Sequence, residues 1–149
     1  MATMLLPPEF KRLLSTLHSK KVDYLVVGGY AVIYHGYVRT TGDLDIWVAL
    51  DVNNAAKVEA VIRSMGFNPP GLNPEWFLRK GSLLRIGQDP LRFDIINDID
   101  GVVFADCYGR RVETNIDGIE IKFISLADLK KNKRASGRNK DLADLDYLP

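Results

Sequence analysis

A chain of 149 residues has room for one domain with a substantial core and is too short for two ordinary ones. Its 46% hydrophobic and 26% charged residues exclude a disordered chain, and a net charge of +1 excludes a global field that would draw it to nucleic acid or a membrane. Cys107 is the only cysteine, the N-terminal apolar run is too short for a signal peptide, and nowhere do about 18 apolar residues run together, so a cytoplasmic, non-membrane protein without internal disulfides is expected.

The elements follow from periodicity and punctuation. After Pro7-Pro8, residues Phe10, Leu13, Leu14 and Leu17 recur at helical spacing and predict an amphipathic helix over about 8–20. Tyr24 to Val27 reads as a buried strand, which Gly28-Gly29 ends, opening a short helix that Gly36 terminates. Leu44 to Leu50 is a second strand, headed by the aspartates of DLD, and Asn53 to Met65 is a third helix stopped by Gly66. Residues 68–81, rich in Pro and Gly, read as a loop or partly ordered segment.

Leu83 to Ile86 and Leu91 to Ile96 pair as a hairpin around Gln88-Asp89-Pro90. Arg111 to Asn115 and Ile119 to Ile124 form another, joined by Asp117-Gly118, whose residues suit a turn needing positive φ. Ser125 and Asp128 form a capping-box-like helix start, Ser136-Gly137 interrupts that helix, and Asp141 to Leu148 forms another. The expected fold is a single α/β (α+β) domain over 1–149, a mixed sheet flanked by helices, with closing helices over about 125–148.

The chemistry concentrates in GGYAVIYHGYVRTTGDLDIWV, residues 28–48. A strand, a glycine pair and a helix start suit phosphate, because N–H groups there are unpaired and a residue without Cβ permits close approach; a tight turn alone would also need the glycines. Asp43 and Asp45 stand at i and i+2 of a strand, so both carboxylates share one face while Leu44 points inward. Carboxylates so placed repel unless a cation lies between them, and a divalent ion is the economical partner; an isolated DLD would equally suit a solvated strand end after a turn. Asp94 interrupts the otherwise apolar strand LRFDIIN and needs a partner, either Arg92 or Arg85, or a cation shared with Asp43 and Asp45 if the two strands are neighbours.

Together GG, the helix ending His35-Gly36, the R-x-T-x-D-L-D run of Arg39, Thr41, Asp43 and Asp45, and the later strand aspartate resemble the nucleotidyltransferase superfamily that includes DNA polymerase beta. The sequence is most similar there to small bacterial proteins of the abortive-infection toxin type. The tail with Lys133, Arg138, Lys140, Asp141 and Asp144 is similar to that group as well. The resemblance implies a nucleotidyltransferase fold and metal-dependent transfer of an NMP group from an NTP to a hydroxyl, with pyrophosphate released. It further implies two Mg²⁺ ions held by Asp43, Asp45 and Asp94, with the β and γ phosphates at Gly28 and Gly29. The implied acceptor is an RNA end such as tRNA, a protein hydroxyl or a small molecule such as an aminoglycoside. Many members carry Gly-Ser where this chain has Gly28-Gly29, so a hydroxyl contact to phosphate is missing and only backbone N–H groups remain. The arrangement also demands that the strands before Gly28 and after Asp43 run antiparallel.

Other readings stay open. A dinucleotide-binding start fits poorly, since Tyr30 and Ile33 occupy the second and third glycine positions of G-x-G-x-x-G. A catalytically inactive binding module or toxin–antitoxin partner on the same fold is the alternative to an enzyme. Arg39 either clamps phosphate or pairs with Asp43 or Asp45. Lys133, Arg138 and Lys140 either contact triphosphate or acceptor or belong to a solvated helix face. His35 reads as structural, favoured by the dipole at the end of its helix, and Trp76 as a loop anchor or a platform for a base.

Overall fold

The computed structural model describes residues 4–88 and 90–149. Asp89 of the Gln88-Asp89-Pro90 turn lies outside the described residues. The elements, in chain order, are α1 (Pro8–Ser19), β1 (Tyr24–Val27), α2 (Gly28–Tyr34), β2 (Asp43–Val48), α3 (Val52–Ser64), a 3-10 turn (Pro74–Leu78), β3 (Leu83–Gln88), β4 (Leu91–Ile96), α4 (Phe104–Gly109), β5 (Val112–Ile116), β6 (Ile119–Phe123), α5 (Leu126–Ser136) and α6 (Asn139–Tyr147).

One mixed sheet of six strands runs β3-β4-β2-β1-β6-β5. β1 pairs antiparallel with β2 and parallel with β6, while β2 pairs parallel with β4; both outer pairs, β3 with β4 and β5 with β6, are antiparallel. β1 is buried along its whole length, as expected of a central strand covered on both faces, and in β2 the partly open Asp43 and Asp45 alternate with buried Leu44 and Ile46. α1 presents Phe10, Leu13, Leu14 and Leu17 to β6 and α3, α2 lies against β2 and β1, and α5 packs on α6 and α2. The buried side chains, with Trp47, Tyr24, Phe10 and Phe123 among the largest, form one cluster. Among the described residues no helix is long and apolar enough to cross a membrane.

Some boundaries differ from the expected ones. Asp51 does not extend β2; its carboxylate accepts from the Asn54 backbone N–H at 3.0 Å and starts α3. α6 begins at Asn139, two residues before its expected start. α4 has no counterpart in the expected order: six residues without a side-chain cap, burying only Cys107, leave too short a pattern to read. The 3-10 turn orders part of the expected loop. Asn73 caps it through the Trp76 N–H at 3.1 Å, and Trp76 packs against the core as an anchor, its indole N–H buried without a partner.

Candidate active site

The sheet register builds the site. In the β1/β2 ladder Val27 lies opposite Asp45, so the glycines that follow β1 meet the aspartates that open β2. In the β2/β4 ladder Asp45 lies opposite Asp94, and Asp43 opposite Arg92. The antiparallel pairing demanded by the sequence is present, and so is the neighbouring of the two aspartate strands.

Gly28 adopts φ +66, a region closed to most residues with a side chain, and a Cβ there would overlap the Asp45 carboxylate oxygen Oδ2. A Cβ on Gly29 would overlap Thr41 Oγ1 and approach Arg39. The glycine pair therefore gives room first to Asp45 and Thr41 of this chain.

The three carboxylates differ in their partners. Asp94, buried, accepts from Arg85 Nε at 2.9 Å and from a second Arg85 nitrogen at 3.1 Å. Asp43 is within 3.4 Å of Arg92 Nε and 4.0 Å of Arg85. Asp45 has no ion pair among the described residues; burial first, then Asp94 and Asp43, push its carboxyl up to about 7, with Lys140 and Lys133 opposing the rise. The cluster is short of positive charge at its centre. Among the described residues no three acidic, His or Cys side chains are gathered closely enough to hold a metal; Asp94 is paired with Arg85 and Asp43 with Arg92. The donor set itself, carboxylate oxygens on two adjacent strands, suits a hard divalent cation.

A cleft of about 580 Å³ joins these groups to the two closing helices. Its walls include Gly28, Gly29, Arg39, Asp43, Asp45, Asp94, Lys133, Arg138 and Lys140. Thr41 lines an adjoining recess with Arg39, Asp43, Asp45 and Lys140. Gly28, Gly29, Arg39, Thr41, Asp43, Asp45, Asp94, Lys133, Arg138 and Lys140 thus border the cleft or its adjoining recess, whereas Asp144, His35 and Trp76 line neither, and the cations are deployed differently from expectation. Arg39 pairs with neither Asp43 nor Asp45; Asp144 on α6 holds it at 2.9 and 3.0 Å. Lys133 is no solvated-face lysine. It is buried between Asp141 at 2.9 Å and Asp144 at 3.0 Å. Arg138 is exposed and pairs with Asp141 at 3.0 Å. Lys140, exposed and without an ion pair among the described residues, is the cation left facing the carboxylates.

Burial raises the Asp141 carboxyl, but hydrogen bonds from Ser136 and Lys133 outweigh it and hold it at about 2; Asp144 is lowered in the same way by Arg39 and Lys133. His35 works through a hydrogen bond, not through the helix dipole. Its Nε2 lies 2.7 Å from the Ile124 carbonyl, and burial lowers its pKa, so the neutral ring ties α2 to the end of β6. Cys107 is fully buried, and burial pushes its thiol up to about 11, as befits an inert core residue. Two cleft residues had no signal in the sequence. Asp98 and Asp100, in the loop after β4, line the wall beside Ile96 and Ile99 and read in sequence only as a polar connection.

No family model and no curated protein matches this sequence. Solved structures do. A candidate nucleotidyltransferase from Thermotoga maritima superposes with a TM-score of 0.64 at 17% identity, over 95% of this chain and 93% of that one. The lincosamide antibiotic adenylyltransferase LnuA, with lincomycin bound, gives 0.57 at 19%, over 97% and 96% of the two chains. An antigenic nucleotidyltransferase-like protein from Paracoccidioides brasiliensis gives 0.56 at 16%, over 92% and 72%. At such identities the likeness is one of architecture, and the six-stranded mixed sheet with its flanking helices is the nucleotidyltransferase fold.

Proposed function

We propose that this chain, as a single domain, transfers a nucleoside monophosphate from an NTP to a hydroxyl group and releases pyrophosphate. The observation that carries the reading is the register: Asp45 faces Asp94 across one ladder and Val27, next to Gly28, across the other. The glycine turn and the facing carboxylates therefore converge on one point of the sheet, which supports the reading. Asp43, Asp45 and Asp94 are the residues that would hold Mg²⁺, which would neutralise the triphosphate and lower the pKa of the attacking hydroxyl.

The sheet order supports a division of the site into two sides. β1 and Gly28 flank β2 on one side and β4 with Asp94 on the other, so the β and γ phosphates sit by Gly28, Gly29, Arg39 and Thr41, and the acceptor enters beside Asp94. Lys133, Arg138 and Lys140 flank the phosphates from the closing helices. The acceptor oxygen bonds to the α phosphorus as the bond to the pyrophosphate oxygen breaks. A small molecule is one acceptor class to test, since one structural neighbour is a lincosamide adenylyltransferase with lincomycin bound; an RNA end and a protein hydroxyl are the others.

A second reading has its own support. Arg85 and Arg92 already compensate Asp94 and Asp43, as they would in a catalytically inactive binding module or toxin–antitoxin partner built on this fold. The experiment is Mg²⁺ with each labelled NTP and cell extract, followed by ribonuclease or protease treatment of the product, beside calorimetry of nucleotide binding. Asp94→Asn should keep Mg²⁺-NTP binding and lose turnover. Wild-type turnover in a folded Asp94→Asn protein removes that residue's role, and no nucleotide binding by the wild type returns the second reading.

A further inference from the structure

A second cavity, of about 640 Å³, shares residues 39–41 with the recess beside the carboxylates but is not lined by Asp43, Asp45 or Asp94. Tyr30, Ile33 and Tyr34 of α2, Val38, and Asn115 and Ile116 at the tip of the β5–β6 hairpin form much of its wall. This volume suits a drug-sized molecule, and an apolar lining with a few polar groups is the usual composition of a small-molecule site.

Two features say what it would take. Tyr30 is only 7% exposed, yet its hydroxyl has no hydrogen-bond partner among the described residues. That oxygen is not among the fully enclosed polar atoms, and its residue lines the cavity. A phenol this buried ordinarily finds a partner. The second feature is charge. Arg39, on the shared wall, is held by Asp144, and Asp117, at the hairpin tip, is paired with Lys11 at 3.0 Å. The cavity offers no uncommitted ion to a phosphate or a carboxylate.

We propose that this cavity is a ligand site for a neutral, mainly apolar small molecule that presents a hydrogen-bond acceptor to the Tyr30 hydroxyl. The site is distinct from the carboxylate cleft, and it stands whether or not that cleft turns over nucleotide. Prodan, a neutral naphthalene ketone whose emission moves to the blue when water is excluded, is a suitable probe. Titrated into the full chain, it should bind saturably, one molecule per chain, with a blue shift. Tyr30→Phe should weaken binding about 3- to 10-fold, the worth of one hydrogen bond. Val38→Trp, made at a residue 64% exposed on the rim, should fill the space and abolish binding while leaving thermal unfolding unchanged. Absence of saturable binding, or wild-type affinity in either variant, overturns the proposal; so does displacement of prodan by Mg²⁺-ATP, which would put the probe in the carboxylate cleft.

Discussion

Lys133→Met tests whether the closing helices are held by buried charge. The Lys133 side chain is 5% exposed, and its ammonium bonds Asp141 at 2.9 Å and Asp144 at 3.0 Å, both residues being themselves buried. Breaking a buried pair by removing one partner costs roughly 3–5 kcal/mol, because the other charge is left in a poor dielectric. Here each carboxylate keeps a second cation, Arg138 on Asp141 and Arg39 on Asp144, which places the loss at the lower end, about 3 kcal/mol. For a chain of this length that is a fall in melting temperature of roughly 6–12 °C. Differential scanning calorimetry at pH 7 reads it directly. The pairing also predicts non-additivity: in a Lys133→Met background, Asp144→Asn should cost less than it does alone, since it then removes an under-compensated charge. A loss below about 1 kcal/mol in Lys133→Met, or strict additivity in the cycle, would refute the buried-bridge account.

Gly28→Ala should displace Asp45 and disrupt nucleotide turnover far more than its cost in folding. Gly66→Ala, at φ +89 but with open space around it, should cost about 1 kcal/mol of backbone strain and leave turnover unchanged. Equal activities in these two alanine variants would show that the overlap with Asp45 has no functional weight. Asp141, held at about 2 in the folded chain, sits below its unfolded value. Its contribution to stability is therefore complete above about pH 4 and lost as pH falls toward 2, and it amounts to about 1–2 kcal/mol after allowing for solvent at Arg138. Urea titrations of wild type and Asp141→Asn should differ at pH 6 and converge near pH 2; a constant difference would contradict the assignment.

The parts of the site legible in the sequence were those set by local backbone rules. A glycine pair after a buried strand, carboxylates two residues apart on the next strand and an aspartate inside an apolar run each carry a geometric meaning within a few residues, and the pairing of β2 with both β1 and β4 joined them. What was not legible depends on partners far apart in the chain. Arg39 meets Asp144 across a separation of 105 residues, and nothing near Arg39 distinguishes that partner from Asp43. The run LKKNKR reads as a polar helix face until α6 folds over Lys133, because burial of a lysine is a property of packing and not of periodicity. The position of Arg85, opposite Asp94 in the β3/β4 ladder, decides which arginine takes that carboxylate, and ladder register is equally invisible to a single strand.

The charge of the cleft leads to a final expectation. Asp43, Asp45, Asp94, Asp98, Asp100 and Asp141 face Arg39, Arg85, Arg92, Lys133, Arg138 and Lys140 around the cleft and its adjoining recess, so the signs balance once Asp45, raised to about 7, is ionised. A bare triphosphate meets no net attraction there, and the carboxylates nearest Gly28 repel it. Divalent cations held by Asp43, Asp45 and Asp94 would turn that patch from repulsive to attractive. Nucleotide and Mg²⁺ should therefore bind with strong positive coupling, at the upper end of the usual range, about 100-fold. Linkage requires the same factor in both directions: Mg²⁺ tightens NTP, and NTP tightens Mg²⁺. Calorimetric titration of an NTP in EDTA and in Mg²⁺, then of Mg²⁺ with and without the NTP, measures both. Equal NTP affinity with and without Mg²⁺ would mean that the basic side chains alone hold the phosphates, and the carboxylate cluster would then have no part in binding nucleotide.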